Sequence, residues 1–162
     1  MGGGSVIRVV LAMVAALLSG HAHARVNGIG AGVVLGEPLA STMIYRWSDR
    51  HAVQVLAGWS FGQKRMHLGA DYLFIPTEIE SDDSMGLKYP VYVGLGLRMR
   101  LLGEDTTAGQ ERGKLGLRFP FGVAVEPQDL PFEVYFEMAP VWVMTPVSHG
   151  GFDGGIGVRV FF

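Results

Sequence analysis

The strongest constraint in this sequence is an alternation of apolar residues with small or polar ones at a period of two. It begins near residue 28 and recurs in stretches of roughly ten residues, separated by turn-forming residues. Successive side chains of a β-strand point to opposite faces, so the pattern predicts strands with one apolar face each. Helical spacing of three and four residues is almost absent from the same region. We therefore expect an all-β fold.

Eight such stretches follow one another along the chain. An even number of strands lets an antiparallel meander close on itself, which removes the exposed sheet edges. The sequence thus predicts an eight-stranded antiparallel up-and-down β-barrel. The predicted strands are residues 28–35, 40–47, 52–61, 65–75, 91–101, 114–125, 132–144 and 152–162.

Two closed barrels fit this alternation, and they differ in which face points outward. A soluble barrel of the lipocalin type has its apolar face inside, whereas a transmembrane barrel has it outside. Side chains only just fill the interior of an eight-stranded barrel, and most Phe, Met and Trp residues lie on the apolar face. The other face carries Gly, Ala, Ser and Tyr with scattered charges. The size of the side chains on the apolar face therefore favours a transmembrane β-barrel with that face outward.

Composition excludes several classes of protein. The chain is 49% hydrophobic and 17% charged, has a formal net charge of −2, and contains no Cys. A disulfide scaffold, a thiol enzyme and a Cys-ligated metal protein are excluded. The sequence has no basic stripe that could bind a phosphate backbone, so we expect no nucleic-acid partner. We also predict no cofactor and no metal site.

The first 24 residues have the features of a cleavable signal peptide. Arg8 precedes an apolar run at residues 9–18, and Ala22 and Ala24 form a small-residue cleavage site. Ten residues in a helix rise only about 15 Å, too little to span a bilayer. We therefore predict export by the Sec pathway, with a single barrel domain at residues 25–162.

The expected topology places both ends of the barrel domain in the periplasm. The outer loops are then 36–39, 61–64, 102–113 and 145–151, and the periplasmic turns are 48–51, 76–89 and 126–131. Periplasmic turns of such barrels are usually short. The acidic segment 76–89 is long for this position, so it is either an unusual turn or a sign of a miscounted strand.

Several segments resemble a family of small, uncharacterised bacterial outer-membrane barrels that includes a spirochaete outer-surface protein. The chain also resembles, more loosely, the eight-stranded OmpA- and OmpX-type barrels. The similar segments are GWSF (58–61), ADYL (70–73), YPVYVGLGLRMR (89–100), LGLRFPFG (115–122), PFEVYFEMAPV (131–141) and FDGGIGVRVFF (152–162). The resemblance covers roughly residues 27–162, and it implies a Gram-negative outer-membrane location without implying catalytic residues.

The last predicted strand resembles the C-terminal targeting strand of bacterial outer-membrane proteins. Phe162 is preceded by apolar residues two, four and six positions earlier. This resemblance implies that Phe162 serves in targeting, with the barrel-assembly machinery as a partner during biogenesis and outer-membrane lipid as the final surroundings.

Charged residues on the predicted inner face form the main candidate site. An unpaired buried charge is costly, so cations and anions in a narrow lumen must largely pair. We expect a salt-bridged, plugged lumen, with a narrow polar conduit as the alternative. The predicted network consists of Arg46, Arg65, Asp71, Arg98, Arg100, Arg118, Glu133, Glu137, Asp153 and Arg159.

Two other functional classes stay open besides a barrel of structural or interaction type. The first is a lipid-modifying enzyme similar to the lipid A deacylases, for which Ser148, His149 and Asp153 are the candidate residues. Adjacent Ser and His on an extended chain point in opposite directions, so we predict no catalytic site. The second is a soluble periplasmic barrel that binds an apolar ligand. The polar loop 103–113 could contact an extracellular partner, which the sequence does not identify.

Overall fold

The computed structural model describes residues 28–60, 65–80, 86–101, 113–144 and 148–162. The predicted signal peptide and most of the predicted outer-loop residues lie outside these ranges. Among the described residues, no helix is long and apolar enough to cross a membrane. The strands are β1 (Gly28–Glu37), β2 (Leu39–Ser48), β3 (His51–Ser60), β4 (Arg65–Glu80), β5 (Leu87–Leu101), β6 (Lys114–Arg118), β7 (Phe121–Pro127), β8 (Phe132–Val143) and β9 (His149–Phe161).

The strands form one closed antiparallel ring. Strands that follow one another pair, except that β6 and β7 each pair with β5 and β8, and β1 pairs with β9 to complete the circle. Strands β6 and β7 lie end to end, because Arg118 is opposite Val141 and Phe121 is opposite Met138 in one continuous register against β8. Pro120 has no N–H to donate, which accounts for the short interruption between them. Counted together, β6 and β7 make one barrel strand, so the ring has eight barrel strands, here called staves. The predicted eight-stranded up-and-down barrel is confirmed.

The barrel has two ends that differ in their connections. Gly28 and Phe162 lie together at one end, where the Phe162 N–H donates to the Ile29 carbonyl at 3.0 Å. The short turns after β2 and β7 are at this same end, which we call the termini end. The connections from β1 to β2, β3 to β4, β5 to β6 and β8 to β9 are at the opposite end, which we call the loop end.

The apolar face of every stave points outward. In β8, Val134 and Phe136 are 37% and 44% exposed, whereas Glu133 and Glu137 are 1% and 3% exposed. The same inversion recurs around the ring, with most Trp, Phe, Leu, Val and Met side chains outside, and charged and small side chains together with a few large ones inside. The predicted orientation of the two faces is confirmed.

Aromatic rings and glycines fit together on the inner face. Tyr135 is directly opposite Gly157 across the β8–β9 pair, and its ring occupies the space that any side chain at position 157 would need. Tyr92 covers Gly122 and Phe161 packs against Gly30 in the same manner. Side chains only just fill a barrel of this size, so a ring on one strand requires a glycine on the next.

The long hairpin between β4 and β5 corrects the predicted turn at 76–89. Strand pairing continues beyond that boundary, from Thr77 opposite Val91 to Glu80 opposite Lys88. One extra residue on β4 between Phe74 and Thr77 forms a bulge, and Pro76 lies in it. A bulge is one of the few places in a sheet that tolerates proline. The segment is thus mainly an extension of two counted strands, rather than a long turn or an extra strand.

Candidate functional site

The inner face of the barrel gathers charged side chains from seven of the nine described strands into one connected network. At the termini end, Arg46 on β2 reaches two carboxylates, with Nη1 2.7 Å from Glu126 Oε1 and Nη2 3.1 Å from Glu133 Oε2. Arg159 on β9 binds the second oxygen of Glu133 at 2.8 Å. Glu133 and Arg159 are each only 1% exposed, so their charges are compensated by each other and not by water.

Aromatic rings complete the surroundings of these two arginines. The Arg159 guanidinium lies 3.8 Å from the centre of the Tyr135 ring, and that of Arg46 lies 5.4 Å from the centre of the Phe161 ring. A cation over a ring face is attracted by the quadrupole of the ring. The rings therefore stabilise the arginines and also fill the lumen around them.

The centre of the lumen is organised by Arg118 and Gln54. Arg118 forms ion pairs with Asp71 and with Glu137, the latter at 2.6 Å. The Gln54 amide nitrogen donates to the same two carboxylates, at 2.9 Å to Asp71 and 3.0 Å to Glu137. The Gln54 amide oxygen accepts a hydrogen bond from Arg159. Gln54 is fully buried and joins the central layer to the layer at the termini end.

The half of the lumen near the loop end is centred on Asp153. Arg98 binds Asp153 at 2.7 Å, and Arg118 approaches it at 3.6 Å. Arg98 also donates from Nε to His67 Nδ1 at 3.1 Å. Beside these groups lies a cavity of about 30 Å³, with His67, Arg98 and Asp153 in its wall. This volume holds one or two water molecules and no larger solute.

Eight of the ten predicted network residues are therefore brought together. They are Arg46, Asp71, Arg98, Arg118, Glu133, Glu137, Asp153 and Arg159. Arg100 faces inward nearer the loop end, with His67 and Lys114 as its cross-strand neighbours. Arg65 begins β4, but its side chain lies outside the described residues.

Arg118 and Glu137 form an ion pair although they are not directly opposite each other. A hairpin centred near residue 128 would place Arg118 opposite residue 138, whereas its partner is Val141 and Glu137 is opposite Gly122. The ion pair forms because the long arginine side chain extends along the lumen to reach a carboxylate further along β8.

Besides His67, three participants were missing from the predicted network. Glu126 was assigned to a turn, yet the alternation continues through Ala124 to Glu126, and the carboxylate is 4% exposed. Gln54 and Tyr92 lie on the predicted inner face but carry no charge; the Tyr92 hydroxyl donates to Glu137 at 3.0 Å. A count of all polar groups on the inner face, instead of charges alone, would have found the last two.

The candidate catalytic residues near the loop end are divided between two environments. The Ser148 hydroxyl accepts a hydrogen bond from the Trp142 indole at 2.7 Å on the exposed surface. Asp153 points into the lumen and binds arginines. Ser148 is thus on the exposed surface and Asp153 is in the lumen, whereas a serine hydrolase needs its serine, histidine and acid joined by hydrogen bonds. Within the described residues, no group of three or more His, Asp or Glu side chains is placed to hold a metal ion.

The fold and the lumen define a closed eight-stave β-barrel with an apolar outer surface and a charged interior. No protein-family model matches the chain, and no curated protein matches it. Among solved structures, it is similar to the N-terminal β-barrel domain of Pseudomonas aeruginosa OprF. The TM-score is 0.61 at 13% sequence identity, over 82% of this chain and 93% of that domain. At this identity the likeness is one of fold, and membership of the family suggested by the sequence segments stays a prediction.

Proposed function

We propose that this protein is an integral outer-membrane β-barrel of a Gram-negative bacterium, of structural or interaction type, whose lumen is closed by paired charges. The observation that carries the proposal is the inverted distribution of polarity around a complete ring. Exposed Trp, Phe, Leu and Val side chains cover the outside of every stave, and arginines and carboxylates fill the inside. Such a surface suits lipid and would be a poor surface in water.

Strand length supports the same proposal. Strands β1, β2 and β3 have ten residues each. Ten residues in a strand extend about 33 Å, which a tilt of about 45° reduces to about 23 Å along the barrel axis. The apolar band of an outer-membrane barrel is about 25 Å tall. The strands therefore match the thickness that they would have to cross.

The closed lumen is supported by the connected chain of contacts from Glu126 near the termini end to His67 near the loop end. Eight-stranded barrels have interiors that side chains just fill. A soluble barrel that binds an apolar ligand would need an apolar lumen, and a lipid-modifying enzyme would need a joined catalytic group. The described residues favour neither of these alternatives.

Cell fractionation tests the membrane location. The folded protein should remain in the membrane fraction after a carbonate wash, and it should migrate differently on a gel before and after heating. Recovery of the folded protein in the periplasmic extract would contradict the proposal. An N-terminal sequence starting at Arg25 would support the predicted cleavage site, and unchanged lipid A masses with and without the gene would separate this role from a lipid A-modifying enzyme.

A further inference from the structure

The projecting part of β4 borders a polar notch at the termini end. The β3–β4 pairing ends at His51 opposite Phe74, and one further bond joins the Ile75 N–H to the Arg50 carbonyl at 2.9 Å. Beyond it, β4 continues to Glu80 with β5 on one side only, among the described strands. A notch of about 410 Å³ opens between this edge and the β2–β3 turn. Its lining residues are Asp49, Arg50, Ile75, Pro76, Thr77 and Glu78.

Charges of both signs line the notch. Among its lining residues Arg50 is the cation and Glu78 is an anion, and Asp49 also lines the notch. Lys88 binds Glu80 at 2.9 Å and reaches Glu78 only at 4.0 Å, so it is mainly engaged by Glu80. The notch is partly open to its surroundings and has room for a polar headgroup. This arrangement complements a ligand that carries a phosphate and an ammonium group close together.

An aromatic cluster adjoins the notch on the outer face of the barrel. His51 stacks on Trp47 with ring centres 6.1 Å apart, and its Nδ1 lies 2.6 Å from the Tyr72 hydroxyl. Phe74 and Tyr45 complete the cluster. Trp47 and Tyr72 are 48% and 43% exposed. His51 is opposite Phe74, and the next backbone bond joins Ile75 to Arg50, so the cluster and the notch meet where the β3–β4 pairing ends.

We propose that the notch and the aromatic cluster together bind one phospholipid whose headgroup contains a phosphate and a primary ammonium. Arg50 binds the phosphate, Glu78 accepts a hydrogen bond from the ammonium, and the acyl chains lie along the aromatic cluster. Aromatic side chains favour the zone between lipid and water, where headgroups lie. A free solute would leave the aromatic wall unused, so the geometry favours a lipid. This inference rests on the proposed membrane location.

Native mass spectrometry of the folded protein in detergent micelles tests the proposal. The probe is an equimolar mixture of phosphatidylethanolamine, phosphatidylcholine and phosphatidylglycerol. We expect retention of phosphatidylethanolamine to be about fivefold greater than that of the other two, since a primary ammonium donates hydrogen bonds to the carboxylates whereas a trimethylammonium has none to donate.

Three variants separate the roles of the notch residues. Arg50→Ala should reduce retention of all three phospholipids, because each carries a phosphate. Glu78→Gln should reduce only the preference for phosphatidylethanolamine. Asp129→Asn, an exposed position in the turn between β7 and β8, is the matched control and should leave the preference unchanged. Heat-dependent gel migration establishes that each variant is folded.

Equal retention of the three lipids by the folded wild type would overturn the proposal, as would a preference that Glu78→Gln leaves intact. Strong competition by water-soluble glycerophosphoethanolamine would indicate a free-solute site and would also overturn it. A protein that needs no detergent and shows no heat-dependent migration would instead contradict the membrane location. The two failures are therefore distinguishable.

Discussion

The two faces of a single strand obey different rules in this barrel. On β8, Glu133, Tyr135 and Glu137 point inward and each has a defined partner, namely an arginine or the space above a glycine. Val134 and Phe136 point outward and are substantially exposed. Inner positions are therefore constrained by charge and shape, whereas outer positions need only be apolar. Substitutions that remove a charge or add bulk on the inner face, or add a charge on the outer face, test this difference between the two faces.

The largest effect is expected from Arg118→Ala on the inner face. It leaves Asp71 and Glu137 buried without their cation, and stranding a buried charge costs about 3–5 kcal/mol. Urea unfolding in detergent, followed by tryptophan fluorescence, measures the change in free energy of unfolding. The neighbouring outward substitution Leu117→Ala is the control and should cost about 1–2 kcal/mol. Similar losses for both would remove the distinction between the faces.

A charge placed on the outer face should have the next largest effect. Phe136→Arg would put a guanidinium into lipid, at a cost of about 2–4 kcal/mol near the middle of a membrane barrel. Phe136→Leu keeps the position apolar and should cost less than about 1.5 kcal/mol. Unfolding measured in lipid vesicles provides both values. Tolerance of arginine at this position would argue against lipid on this side of the barrel.

A methyl group added to the inner face should cost less than a stranded charge. In Gly157→Ala the new Cβ would overlap the Tyr135 ring, which also packs on Arg159, and overpacking costs about 1–3 kcal/mol. Gly150→Ala on the same strand has nothing within 4 Å of the new Cβ and is the control. If the two glycine variants unfold at the same urea concentration, Tyr135 does not depend on Gly157 for space.

The smallest effect is expected at the surface of the projecting hairpin. Lys88 and Glu80 form an exposed ion pair at 2.9 Å, with side chains 34% and 63% exposed. Exposed ion pairs contribute at most about 1 kcal/mol. Glu80→Gln should therefore shift the free energy of unfolding by less than that amount, and the shift should shrink at high salt. If Glu80→Gln lowers the free energy of unfolding as much as Arg118→Ala does, the contribution of an ion pair to stability does not depend on its burial.

The local pattern was sufficient to assign the faces of the strands. Period two places Arg118, Glu137 and Asp153 on one face and Phe136 on the other, because side-chain direction alternates whatever the neighbouring strand contains. The pattern was weaker where strands end. Glu126 was assigned to a turn, and residues 77–80 were not recognised as strand, since Pro76 interrupts the apolar alternation at the bulge.

The sequence alone determined the class of fold, the number of staves and most of the charged residues that enter the lumen, since these depend on local alternation and on counting strands. The tertiary structure decided which charges meet: Arg118 reaches Glu137 although it lies opposite Val141, and Gln54 joins Arg159 to Asp71. These contacts depend on register, on closure of the ring and on the length of each side chain inside it. Register and closure are not encoded in a single strand, because they arise only when strands pair and opposite walls of the barrel come within reach of one another.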